Sequence, residues 1–108
     1  VIELKEFLDD RKRSPFAEWR DALDPAIRVP IEFALARLAS GNLSALKGVG
    51  AGVLEMRLDF GPGYRIYLAK EGDRIIILLG AGTKRRQQDD IEAAKACWME
   101  FKNRKKRP

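Results

Sequence analysis

Apolar residues change their spacing twice along the 108-residue chain, and each change predicts a new kind of element. Val1 to Leu8 carries β-branched and apolar residues in partial alternation, closed by the charged run DDRKR, which predicts a strand and then a turn. Ser14-Pro15 is a helix start, with serine as N-cap and proline at the first helical position, where its missing N–H costs nothing. Phe16, Trp19 and Leu23 then form one apolar stripe, and Asp24-Pro25 repeats the start signal almost without a loop. Ile27, Ile31, Ala34, Leu35 and Leu38 give the buried face of this second helix, and Gly41-Asn42 stops it. Pro30 falls inside it and predicts a kink, because it removes a backbone hydrogen bond. Helices joined this tightly predict an antiparallel hairpin.

From Val53 the period is two. Leu54, Met56, Leu58 and Phe60 alternate with Glu55, Arg57 and Asp59, the pattern of a half-buried strand with a charged outer face. Gly61-Pro62-Gly63 predicts a turn. Alternation resumes from Tyr64 to Lys70, with Ile66 and Leu68 on one face and Arg65 and Tyr67 on the other. Glu71-Gly72-Asp73 closes a hairpin to Arg74–Leu79, whose IIILL is apolar on both faces and so belongs inside the sheet, and Gly80, Gly82 and Thr83 end it. Gln88 to Arg104 reads as a helix buried through Ile91, Ala94, Trp98 and Phe101, and residues 102–108 read as a basic, frayed tail. The fold class is therefore α+β, in the order β-α-α-β-β-β-α, with a small, mainly antiparallel sheet packed on a helical hairpin. The length fits one domain over 1–108 and is too short for two of ordinary size.

Composition narrows the function more by exclusion than by assignment. At 45% hydrophobic and 34% charged residues the chain is expected to fold. Its net charge of +5 favours encounter with polyanions. A single cysteine, Cys97, excludes an internal disulfide, and with no histidine the common zinc arrangements are excluded as well. Cys97 itself is expected to pack rather than react. The Gly80-Ala81-Gly82 run lacks the further glycines and the lysine spacing of phosphate loops, so no metal and no cofactor are expected. No apolar run approaches the roughly 20 residues that span a bilayer, and the first residues lack a signal-peptide pattern, so no membrane association and a cytoplasmic location are expected.

The candidate chemistry lies in the cations on the sheet pattern. Alternation puts Arg57 beside Glu55 and Asp59, and the hairpin brings Arg65 and Tyr67 to the same face. Lys84, Arg85 and Arg86 leave the last strand at one end, and Lys47 in the glycine-rich KGVGAG loop approaches from another side. Such a face suits a phosphate backbone, since arginine forks match phosphate oxygens and an aromatic ring stacks a base. The alternative is a cross-strand ladder in which Arg57 and Arg65 pair with Glu55 and Asp59, and charge pattern alone favours it. Trp19, Trp98 and Tyr64 fall at core positions, which leaves Tyr67 as the aromatic with outward parity. If the face is catalytic, the absence of histidine and of a metal cluster narrows the chemistry: RNA can be cut without metal by attack of its own 2′-OH, with arginines stabilising the phosphorane charge. Lys84, crowded by Arg85 and Arg86, fits an acid or base, and Glu55 is a second candidate base.

The segments LEMRLDFGPGYRIYL and ILLGAGTKRRQQDDIEAAK carry a more specific signal. Glu55, Arg57 and Asp59 form E-x-R-x-D, Gly61 to Tyr67 form G-P-G-Y-R-x-Y, and Gly80 to Gln87 form G-x-G-x-K-x-x-Q ahead of Asp90-Ile91. Over most of its length the chain resembles the HigB-like branch of the RelE/ParE toxin superfamily, the addiction-module killer proteins. That resemblance implies the toxin of a type II toxin-antitoxin pair, which cuts mRNA on translating ribosomes and is silenced by a cognate antitoxin, expected to be a small helix-turn-helix DNA-binding protein. Carried over by position, Arg57, Arg65 and Lys84 match the basic residues implicated in cleavage, while Lys47, Tyr67, Arg85 and Arg86 are expected RNA contacts from the charge pattern of the face. Other members use a histidine or a C-terminal tyrosine as acid or base, and this chain has neither. The same superfamily includes members that poison DNA gyrase, so the resemblance leaves that activity as the alternative, beside a non-toxic nucleic-acid-binding module.

Overall fold

A computed structural model describes residues 1–107. The elements run β1 (Glu3–Glu6), α1 (Pro15–Asp21), α2 (Pro25–Ala39), β2 (Leu46–Gly50), β3 (Val53–Arg57), β4 (Tyr64–Glu71), β5 (Ile75–Thr83), a 3₁₀ turn (Lys84–Arg86) and α3 (Gln87–Lys106). Both helix starts form as their sequences dictate: Ser14 Oγ accepts from the Ala17 amide at 3.0 Å, and the Asp24 carboxylate accepts from the Ala26 amide at 2.9 Å. Pro30 is accommodated inside α2, which continues to Ala39.

The strands form one five-stranded sheet in the order β1-β5-β4-β3-β2. β1 runs parallel to β5 and the remaining pairs are antiparallel, so the sheet is mixed rather than mainly antiparallel. Alternation in β1 fits any edge, and only the chain path over α1 and α2 decides which neighbour and direction it takes. A second correction is β2 itself, which the sequence reads as a loop. Glycines are poor strand formers, but on an edge they mark a bulge, and the register of β2 against β3 shifts between Gly48 and Gly50. A third concerns β5, which continues through Gly80 and Gly82 to Thr83 instead of ending there. The basic tail is also ordered as helix to Lys106, while position 108 lies outside the described residues.

Two cores enclose the sheet. Phe16, Ile31, Leu35 and Leu38 of α1 and α2 pack on Met56, Ile66, Leu68 and Ile76, while Ile91, Ala94 and Trp98 of α3 pack on Val53, Tyr67, Ile77 and Leu79. The run IIILL therefore feeds both cores, as its unbroken apolarity requires. Burying an aliphatic side chain of this size contributes about 1.5–3 kcal/mol, so both interfaces are held mainly by apolar area. The expected outer face of β3 and β4 is covered by α3 except at its end, where Arg57 stays exposed.

Candidate functional site

The site is set by register at one end of the sheet. Arg57, at the end of β3, pairs with Arg65 on β4, and Arg65 pairs with Gly82 on β5. The neighbouring row on the same face is Lys47, Glu55, Tyr67 and Gly80. Thr83 lies opposite Tyr64, which delivers Lys84 to the same end, immediately beyond the strand. Gly63 makes this meeting possible: its φ is +78°, and a Cβ there would lie 3.0 Å from Arg65 Nη1 and 3.2 Å from Lys84 Cβ. The three residues expected to carry chemistry, Arg57, Arg65 and Lys84, are thus brought to one end.

Their environments differ. Arg65 is 4% exposed and Glu55 5%, with Arg65 Nε 3.7 Å from Glu55 Oε2. Arg65 Nη1 donates to the Gly63 carbonyl at 2.8 Å, and Gln87 Nε2 donates to Glu55 Oε2 at 2.9 Å. Arg57, by contrast, is exposed and has no acidic partner among the described residues, and Asp59 is likewise exposed and without a basic one. The anticipated ladder is therefore one buried pair and not an exposed series. Arg57 borders a groove of about 540 Å³ together with Pro30, Phe33, Arg37, Asp59 and Phe60. Arg37 went unnoticed in the sequence, since a cation in the last turn of a helix is ordinary helix chemistry.

Lys84 and Arg85 are exposed, and Arg86 is exposed with Asp89 3.9 Å away, a weak surface pair. Lys47 is exposed on the edge strand β2, across from Glu55. Tyr67, assigned an outward parity, has that parity but is fully buried beneath α3, so its ring is not presented to a base. Its hydroxyl makes no geometrically sound hydrogen bond among the described residues, and burial first, then the nearby Glu55 carboxylate, pushes its pKa up. Glu55 is equally unsuited to collect a substrate proton, being buried and already engaged by Gln87 and Arg65. Asp90 sits over Gly82, where a Cβ would lie 1.9 Å from its Oδ2. Desolvation raises the Asp90 pKa, opposed in part by Arg86. Cys97 is half-buried and burial raises its thiol pKa, the behaviour of a packing residue. Among the described residues no three potential metal ligands cluster closely enough to hold an ion, and none of their helices is long and apolar enough to cross a membrane.

No protein-family model matches the chain. In structure it is similar to a chain of the intact E. coli RelBE toxin-antitoxin complex, with a TM-score of 0.58 at 12% identity over 77% of this chain and 96% of that one. In sequence it is 40% identical over 74 residues to an uncharacterized protein of Haemophilus influenzae, a match that spans 68% of this chain and 75% of the relative. The chain belongs to the family of that Haemophilus influenzae protein, and its fold is RelE-like.

Proposed function

We propose that the protein is the toxin of a type II toxin-antitoxin pair, of the HigB-like branch of the RelE/ParE superfamily, and that it cuts mRNA on translating ribosomes in the cytoplasm. The observation that carries this reading is the meeting of Arg57, Arg65 and Lys84 at one end of the sheet, with Arg57 exposed and free of an acidic partner among the described residues. In the proposed reaction the 2′-oxygen bonds to the adjacent phosphorus as the P–O5′ bond breaks. One proton leaves the 2′-OH and one reaches the 5′-oxygen, giving a 2′,3′-cyclic phosphate and a free 5′-OH without a metal. Arg57, exposed, neutralises the charge that builds on the phosphorane oxygens, the buried Arg65 adds its positive charge from the register position beside it, and Lys84 serves one of the proton transfers. Lys47, Arg85 and Arg86, all exposed, hold the flanking RNA through its phosphates.

The partner in this reading is an antitoxin, a small helix-turn-helix protein that silences the toxin; the RelE-like fold, found in a toxin-antitoxin complex, supports it. Toe-printing of translated mRNA, run beside a plasmid supercoiling assay, tests the activity. Cuts confined to ribosome-occupied codons with the plasmid unchanged are expected. Relaxed or cleaved plasmid with intact mRNA would instead assign the protein to gyrase poisoning.

A further inference from the structure

The motif G-x-G-x-K-x-x-Q and the aspartate after it supply Gly82, Lys84, Gln87 and Asp90, and the reaction above uses only Lys84. Gln87 opens α3, and its amide reaches Glu55 Oε2 at 2.9 Å across 32 residues of sequence. The same oxygen faces Arg65 Nε at 3.7 Å, while Gly63 holds Arg65 Nη1 from the other side at 2.8 Å. Glutamine suits this place on chemical grounds. It donates to Glu55 without adding charge, so the carboxylate stays available to Arg65; a lysine would compete with Arg65 for it, and a glutamate would repel it. Gly82 completes the arrangement, because only a residue without Cβ lets Asp90 and the first turn of α3 come down onto β5.

We infer that Gln87 and Glu55 are positioning residues: together they clamp the buried Arg65 guanidinium in the orientation in which its charge is directed at the scissile phosphate. An arginine side chain has several freely rotating bonds, and ordering it before substrate arrives removes that cost from the reaction. The side chains around the clamp are Glu55, Arg65 and Tyr67 from the sheet and Gln87 and Asp90 from α3. Two of their atoms, Arg65 Nε and the Tyr67 hydroxyl, are buried without a hydrogen-bond partner.

The inference rests on the RNA-cleavage reading, and its test separates the two. In the full chain, Gln87→Ala is expected to speed solvent exchange of the Arg65 Nε–H, followed by NMR, by about tenfold or more, with β4 backbone protection unchanged. That readout does not depend on any activity. Single-turnover cleavage of mRNA on translating ribosomes should fall about 10- to 100-fold, with the half-saturating ribosome concentration within about twofold. Gln87→Glu should show the same loss at neutral pH and recover as pH falls, because protonating the introduced carboxyl restores a donor at position 87; Gln87→Ala should not recover. Unchanged Arg65 exchange in Gln87→Ala overturns the clamp, and so does faster exchange with undiminished cleavage. Faster exchange in a protein whose wild type cuts no RNA supports the clamp and overturns the RNA-cleavage reading.

Discussion

On the face of the sheet under α1 and α2, every buried strand residue is apolar or, at Tyr64, aromatic, whereas the face under α3 buries Glu55 and Arg65 beside Val53, Ala69 and Leu79. Both faces come from the same strands with the same alternation. The first needs only volume and shape, and tolerates exchange among aliphatic residues of similar size. The second needs particular partners, because a buried charge without its counterpart costs more than a lost methyl group. Polar burial gathered on one face, at the end where Arg57 and Lys84 emerge, is what distinguishes a site from a core.

Substitutions on the two faces should therefore fail differently. The largest effect is expected for Glu55→Ala, which leaves the Arg65 guanidinium buried and unpaired. A loss of about 3–5 kcal/mol is expected in denaturant unfolding. Leu38→Ala, in the opposite core, should cost a similar 2–5 kcal/mol while leaving the Arg65 clamp in place. Equal losses of clamp and stability in both would erase the distinction. Next comes a glycine pair: Gly82→Ala drives a methyl into Asp90 and is expected to cost about 1–3 kcal/mol. Gly80→Ala, two residues earlier with open space at its Cβ, should be neutral or slightly stabilising.

Smaller effects sharpen the electrostatic side. Asp90 has a raised pKa, so the folded state holds its proton more tightly than the unfolded state does. Its contribution is fully present below the unfolded value of 3.8 and is lost as pH rises through the folded value. Asp90→Asn should therefore raise Tm at neutral pH by a few degrees, up to about 4 °C, and remove that acid-range dependence from a pH series of melts. Tyr67→Phe deletes a hydroxyl that has no partner and should leave Tm unchanged or slightly raised.

Much of the fold was legible from local signals. The two Ser/Asp-Pro starts, the stripe Ile27 to Leu38 and the double-sided IIILL each state their own burial, and the structure agrees with them. Strand β2 was not legible, because Gly48 and Gly50 are poor strand formers that only an edge and a bulge accommodate. The parallel pairing of β1 was hidden for a different reason: four residues carry no record of a neighbour 72 positions away, as Glu3 and Ile75 are. At the site, parity correctly put Arg57, Arg65 and Tyr67 on one face, but parity does not say what covers a face. The apolar stripe of α3 was visible, and its destination over Tyr67 and Arg65 was not. For that reason Arg65 differs from Arg57 in a way no alternation pattern contains, and its removal should cost stability as well as activity.

Arg57 is where activity and stability separate most cleanly, since it is exposed, in register with Arg65, and without an acidic partner among the described residues. The deciding measurement is single-turnover cleavage of mRNA on translating ribosomes by Arg57→Ala, taken with its Tm. A rate lower by about 10²-fold or more is expected, with unfolding free energy within about 0.5 kcal/mol of wild type. An unchanged cleavage rate in a folded Arg57→Ala protein would contradict the RNA-cleavage reading.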